Sequence, residues 1–192
     1  MKTPIKIVAL GAGRMGRGIA QVFAYAGYEI TIIDFKERKI NESKKLLADG
    51  KAEVKGNLEF LASLGVLLSK EIPTVLNRIH CISIDQAEET LASVDYIFEG
   101  VPELLHLKED ALRRVSKLAS NHTIIASTTS TMLVTQLMEF SLHPENFLNA
   151  HFLNPAYLIP LVEVSPSDKT DPVKLNQFLD LLKSIGKVPV IC

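Results

Sequence analysis

Short apolar runs rich in β-branched residues alternate along this chain with longer stretches whose apolar positions recur every three or four residues. The first run, "IKIVAL" over 5–10, is followed by "RMGRGIAQVFAYAG", a helical pattern that ends at Gly27. "EITIID" (29–34) reads as a second strand. The stretch from Glu37 to Ser69 is interrupted by Gly56 and Gly65 and predicts a pair of helices rather than another strand–helix unit. Three more strands are expected at "RIHCIS" (78–83), "VDYIFEG" (94–100) and "HTIIAS" (122–127), with a helix over 104–119 before the last. This alternation predicts an α/β fold: a doubly wound, mainly parallel sheet with helices on both faces.

The C-terminal third breaks the pattern. "FLNAHF" and "PLVEV" are two short strands around a Pro-bounded loop, 153–160, yet they carry His151 and Glu163. Both side chains are costly to bury without a partner. If segments 148–152 and 161–165 form a hairpin through that loop, His151 faces Glu163 with Cβ atoms about 5 Å apart. A carboxylate at one ring nitrogen fixes the tautomer and leaves the other as a proton acceptor near neutral pH. Asn154 follows three residues on. A half-buried His with a purely structural partner is the simpler alternative. His80, His106, His122 and His143 lack such a setting and read as surface or packing residues. "DPVKLNQFLDLLKSIG" is an amphipathic helix, with Leu175, Phe178, Leu179 and Leu182 on one face and Gly186 as its stop. The closing strand, "KVPVIC", runs to the last residue, an ending expected of one domain of something longer.

Composition narrows the class. Of 192 residues, 47% are apolar and 22% charged, which suits an ordinary globular domain. A net charge of −1 gives no field to draw nucleic acid or an anionic membrane. No run is long and apolar enough to span a bilayer, and no signal peptide is evident. Cys81 and Cys192 supply neither a disulfide framework nor metal-ligand spacing, and reduced thiols fit a cytoplasmic protein.

The turn after the first strand carries Gly11-Ala12-Gly13-Arg14-Met15-Gly16. Alone, GxGxxG is a weak signal. Here it follows a strand, opens a helix, and precedes Asp34 at the end of the next strand. Gly11 permits the tight turn, Gly13 lets backbone approach a pyrophosphate, and Gly16 lets helix and strand pack closely. The N-terminus of the helix offers N–H groups to phosphate. Asp34 would accept hydrogen bonds from a ribose diol and repel a 2′-phosphate, which favours NAD over NADP, although Lys36 and Arg38 lie nearby. FAD sites share the fingerprint, but nothing later in the chain looks like a flavin protein. Two further stretches are open to either reading. Glu103 and Lys108 sit after a strand, at a helix start, where charge chemistry alone could place them. Ser127 to Thr131 form a run of five hydroxyls, more than one helix cap explains.

Taken together, "GAGRMGRGIA", "HFLNP" and "PLVEV" resemble the NAD-binding domain of the L-3-hydroxyacyl-CoA dehydrogenase family, in order and spacing, from about Ile5 to Val190. The resemblance implies a Rossmann-like domain over 1–192 and NAD-dependent oxidation of a 3-hydroxyacyl-CoA, or the reverse. It implies that His151 is the general base, Glu163 its orienter, and Ser130 the hydroxyl that helps hold the substrate oxygen. Glu103, Lys108, Ser130 and Asn154 fall on positions that bind NAD in the family, with Gly11, Gly13, Arg14, Met15, Gly16 and Asp34. The sequence departs from the family at Thr128, where Asn is usual, and at Gly50 and Asn57, where acyl-CoA members carry a Ser and a Lys that touch CoA; Lys51 and Lys55 are close. "NPAYLIPLVEV" looks more like relatives that oxidise small hydroxy acids such as gulonate or carnitine. Phe152 after the His is as in the acyl-CoA enzymes. The family's helical domain, which covers the substrate and makes a homodimer, has no counterpart before Cys192. A dinucleotide-binding domain without activity of its own is therefore a third expectation.

Overall fold

The apolar runs become strands because β-branched side chains suit a sheet buried on both faces. A computed structural model describes residues 4–192. In chain order the elements are β1 (Ile7–Leu10), α1 (Arg14–Tyr25), β2 (Ile30–Asp34), α2 (Ile40–Ser63), α3 (Ile72–Asn77), β3 (Ile79–Ser83), α4 (Ala87–Ala92), β4 (Tyr96–Glu99), α5 (Leu105–Leu118), β5 (Ile124–Ser127), α6 (Val134–Leu137), β6 (Phe147–Phe152), β7 (Leu161–Pro166), α7 (Pro172–Ser184) and β8 (Val188–Ile191). One sheet takes all eight strands, in the order β3-β2-β1-β4-β5-β6-β7-β8. The first six are parallel, as expected; β7 runs against β6, and β8 follows β7.

Alternation along each strand divides the core in two. Ile7 and Ala9 of β1, Phe98 of β4 and Leu148, Ala150 and Phe152 of β6 face α1, α2, α3 and α7. Val8, Leu10, Ile97 and Ile125 face α4, α5 and α6. On the first face Phe98 meets the rings of Phe23, Phe152 and Phe178 at centroid distances of 5.1, 5.8 and 5.6 Å. These contacts add to area burial and tie β4 to α1, β6 and α7.

One expectation fails. The segment read as a broken helix pair is a single helix, α2, which passes through Gly50 and Gly56 without interruption. A glycine inside a helix costs about 1 kcal/mol. Burial of Leu47, Val54, Leu58 and Leu61 against the sheet outweighs it. Gly50 also has a packing reason, since a Cβ there would lie 2.8 Å from Cδ of Arg17. The short helices α3, α4 and α6 carry too few turns to show a period and are additions to the expected list.

The strand order places the crevice. After β1 the chain builds outward to β3, then returns to the other side of β1 with β4. The loops leaving the carboxyl ends of β1 and β4 part there, where open α/β sheets bind ligands. Among the described residues no helix is long and apolar enough to cross a membrane.

Candidate active site

At the end of β1 the backbone turns sharply enough that Gly11 has φ +101°. Its amide donates to the Ile33 carbonyl (2.8 Å), and the Gly100 amide donates to that of Leu10 (2.8 Å). A Cβ on Gly11 would sit 2.9 Å from the Gly100 oxygen, and one on Gly16 only 2.0 Å from the Gly11 oxygen. Gly13 differs: a Cβ there would meet no protein atom within 4 Å. It is the N-cap of α1, with no side chain to occupy the first N–H groups and no acidic residue in the first turn. The two glycines of close packing and the one of open space thus fall where a bound pyrophosphate requires them. Arg14 is exposed and Met15 partly so at the same helix start.

A crevice of about 630 Å³ opens beside this turn, lined among others by Gly13, Asp34, Phe35, Val101 and Ala111. Its size is that of small-molecule sites. Asp34 closes β2 almost fully buried. Arg38 donates to both its carboxylate oxygens (3.3 and 3.1 Å) and the Ser43 hydroxyl donates to Oδ2 (2.8 Å). Arg38, one of the two basic residues that qualified the preference for NAD over NADP, is paired with Asp34 in the structure.

Between β6 and β7 the expected register is observed. His151 of β6 lies directly opposite Glu163 of β7, and their side chains meet at Nδ1···Oε2, 2.7 Å. Both side chains are partly exposed, and Nδ1 is the ring nitrogen that meets the carboxylate. The loop between them is pinned from below. Lys187, buried between α7 and β8, donates to the carbonyls of Ala156 (2.5 Å) and Ile159 (2.7 Å), and burial pulls its pKa below that of a free lysine. Ala156 rests on α1, where a Cβ added to Gly18 would come within 3.1 Å of it. Asn154 is exposed at the start of this loop.

β5 and β6 pair as far as Ser127 and Asn149, so the loop after β5 runs beside the strand end that carries His151. Ser130, exposed, sits in that loop. Its backbone amide donates to Oε1 of Glu103 (3.0 Å), as do the Thr131 amide (3.2 Å), the Thr131 hydroxyl (3.1 Å) and the Thr129 hydroxyl (2.5 Å). Asn149 holds the next carbonyl, that of Met132, at 3.0 Å. Partial burial works against the Glu103 carboxylate. The hydrogen bond from Thr129, the Lys108 charge and the bonds from Ser130 and Thr131 overcome it and hold the pKa at about 2. A folded pKa below the unfolded one means a contribution complete above about pH 4.5 and lost as pH falls through about 2. The Thr131 amide resonance should therefore stay unchanged between pH 6 and 3.5; a titration centred near 4.5 would refute the clamp.

Lys108 is 1% exposed, beneath Glu103 rather than in the crevice. Its ammonium reaches Glu99 and Glu103 together. Glu99, Asn149 and Lys187 are the residues that sequence reasoning missed. An acid inside the apolar run "DYIFEG" is as costly to bury as Glu163, so the same argument would have singled out Glu99. Lys187 follows a helix-stop glycine and gives no such signal. The other histidines are peripheral: His80 meets Glu29 (2.6 Å), His143 meets Glu145 (3.2 Å), and His106 and His122 are exposed. Among the described residues no group of three or more His, Cys, Asp or Glu side chains could hold a metal.

A 3-2-1-4-5-6 parallel core with a glycine turn under a helix N-terminus and an acid closing β2 defines a dinucleotide-binding domain of the Rossmann type. Residues 6–192 match the family model described as 3-hydroxyacyl-CoA dehydrogenase, NAD binding domain. The chain belongs to that family, and its cofactor is NAD. It is 30% identical over 188 residues to human mitochondrial hydroxyacyl-coenzyme A dehydrogenase, covering 97% of this chain and 58% of the relative. It is also 30% identical, over 186 residues, to 5-formyl-3-hydroxy-2-methylpyridine 4-carboxylate 5-dehydrogenase of Mesorhizobium japonicum, covering 96% of this chain and 56% of the relative. Among solved structures, (S)-3-hydroxybutyryl-CoA dehydrogenase from Ralstonia eutropha superposes with a TM-score of 0.88 at 26% identity, over 98% of this chain and 63% of that one. The chain thus spans rather less than two thirds of the length of these relatives.

Proposed function

We propose that this chain carries the cofactor site and the acid–base pair of an oxidoreductase that interconverts a 3-hydroxyacyl-CoA and its 3-ketoacyl-CoA. The observation that carries the reading is the 2.7 Å contact of His151 Nδ1 with Glu163, with the other ring nitrogen free. Bound NAD supplies the hydride acceptor in the oxidative direction. His151 takes the hydroxyl proton at Nε2 as the carbon beneath it becomes a carbonyl, and Glu163 fixes the ring so that Nε2 is the unprotonated nitrogen. Ser130, on the loop held by Glu103, and Asn154, on the loop held by Lys187, offer a hydroxyl and an amide to position the substrate oxygen. Gly11, Gly13 and Gly16 with the start of α1 receive the pyrophosphate, and Asp34 the ribose. The test is NADH oxidation driven by acetoacetyl-CoA, expected to proceed with this chain. NADH bound without turnover would leave a cofactor-binding domain that does not act alone.

A second reading changes only the substrate, to a small hydroxy acid. Gly50 lies under the Arg17 side chain, while Asn57 donates to Gln21 (3.2 Å) and accepts from the Tyr157 hydroxyl (3.4 Å). The two positions at which acyl-CoA relatives present a Ser and a Lys therefore present neither a free hydroxyl nor a charge here. The Mesorhizobium relative is named for a pyridine carboxylate and not for a CoA ester. Acetoacetate in place of acetoacetyl-CoA separates the two: turnover of the free acid alone would favour the second reading.

A further inference from the structure

We infer that Arg17 is a contact of the cofactor's pyrophosphate, a side-chain cation added to a turn that otherwise offers backbone N–H groups. The inference rests on the proposed cofactor site and not on the substrate.

Helical side chains lean toward the N-terminus of their own helix. Arg17, in the first turn of α1, leans back to the glycine turn, where its Nη1 donates to the Ala12 carbonyl (3.3 Å). It lines the crevice together with Gly11, Ala12 and Gly13. Its Nη2 meets Oε2 of Glu53, on α2, at 2.9 Å, and its Nε is buried without a partner among the described residues. A guanidinium has five N–H donors, set in a planar fork that suits phosphate. These two contacts leave donors over.

Two observations separate a ligand contact from a plain bridge between helices. The stem of Arg17 lies on Gly50, where a Cβ would come within 2.8 Å of its Cδ. Helix α2 thus gives up a side chain in mid-helix so that the guanidinium can lie along the turn. An exposed ion pair contributes little and needs no such glycine. The second observation is the balance of charge. Arg38 and Arg114 also line the crevice, but so do their partners, Asp34 and Asp110. Lys36 and Glu37, adjacent and both exposed, offset one another past Asp34. The partner of Arg17 is different: Glu53 is half-exposed and stands outside the crevice lining. The positive charge left over in the wall therefore falls beside the turn, where a pyrophosphate carries its negative charge.

The test is binding of cofactor fragments by the whole chain. ADP carries the pyrophosphate and adenosine does not. NMR titration gives both dissociation constants, and fluorescence that of NADH, in wild type, Arg17→Met, Glu53→Gln and Gly13→Ala. Met keeps an apolar stem over Gly50, so Arg17→Met should fold. It should weaken ADP and NADH about tenfold, the size of one hydrogen bond to a charged group, and leave adenosine within about twofold. Added salt should narrow the gap between wild type and Arg17→Met. Glu53→Gln removes the counter-ion and keeps the cation, so it should bind ADP at least as tightly as wild type. Unchanged ADP binding in a folded Arg17→Met would overturn the inference. So would equal losses of ADP and adenosine, or a loss of ADP in Glu53→Gln as large as in Arg17→Met, since either makes Arg17 a bridge between α1 and α2. Wild-type ADP affinity in Gly13→Ala would count against the turn's part in the proposed site, while a loss in Arg17→Met alone would still support the contact.

Discussion

Replacing His151 with Ala should lower NADH-dependent reduction of acetoacetyl-CoA by roughly 10²–10⁴-fold while leaving NADH binding intact, because a positioned proton donor or acceptor contributes about that much. The cofactor cradle lies at β1 and α1, whereas His151 pairs with Glu163 across the hairpin. The loss should therefore fall on kcat. Stopped-flow single turnovers at saturating NADH read it directly. Glu163→Ala should cost less than His151→Ala, since the imidazole survives but samples both tautomers and several rotamers. An enzyme in which His151→Ala works as well as wild type would end the assignment of His151 as the base.

The glycines make an opposed pair of predictions. Gly16→Ala puts a methyl 2.0 Å from the Gly11 carbonyl oxygen. That carbonyl cannot retreat freely, because Gly11 is held by the Ile33 carbonyl and is backed by the Gly100 oxygen. The expected cost in stability is about 1–3 kcal/mol or more, as for overpacked cores. A melting temperature several degrees lower follows for a chain of this length, at about 2–4 °C per kcal/mol. NADH binding should be lost with the turn. Gly13→Ala meets nothing within 4 Å and should fold as wild type, with φ −78° already suited to alanine. Its methyl points into the space a pyrophosphate needs, so NADH should bind about tenfold or more weakly, some 1.4 kcal/mol. Calorimetry and fluorescence titration on the two variants would settle both. Wild-type NADH affinity in Gly13→Ala would show that the phosphates do not approach that backbone.

Most of this architecture was legible in the chain. Short β-branched apolar runs and helical spacing gave the alternation, and the strand–turn–helix context of the glycines gave the crevice. The hairpin register was legible because His151 and Glu163 are each too costly to bury alone. What was not legible depended on distant partners. Gly56 looked like a helix break because its intrinsic cost is visible and the packing of Leu58 and Leu61 against the sheet is not. Lys108 was left open between helix-start charge chemistry and a place in the cofactor site, since nothing nearby in sequence shows that Glu99, itself bonded to Ser127, meets it. Lys187 was missed for the same reason: its two acceptors lie in a loop about 30 residues earlier.

The hairpin of β6 and β7 also bears on how such a domain assembles. His151 and Glu163 are separated by 12 residues, so the turn that joins their strands brings them together as a local event. The cofactor turn is the reverse: Gly11 needs the Gly100 backbone, and two strands and four helices lie between β1 and β4 in the chain. Local contacts form early and distant ones late, because loop closure must come before any gain from the contact. During synthesis the first strands are made with an unfinished phosphate site, while the His151–Glu163 pair depends only on its own short segment. Changes confined to residues 147–166 thus act on the His151–Glu163 pair without touching the Gly11–Gly100 approach on which the cradle depends.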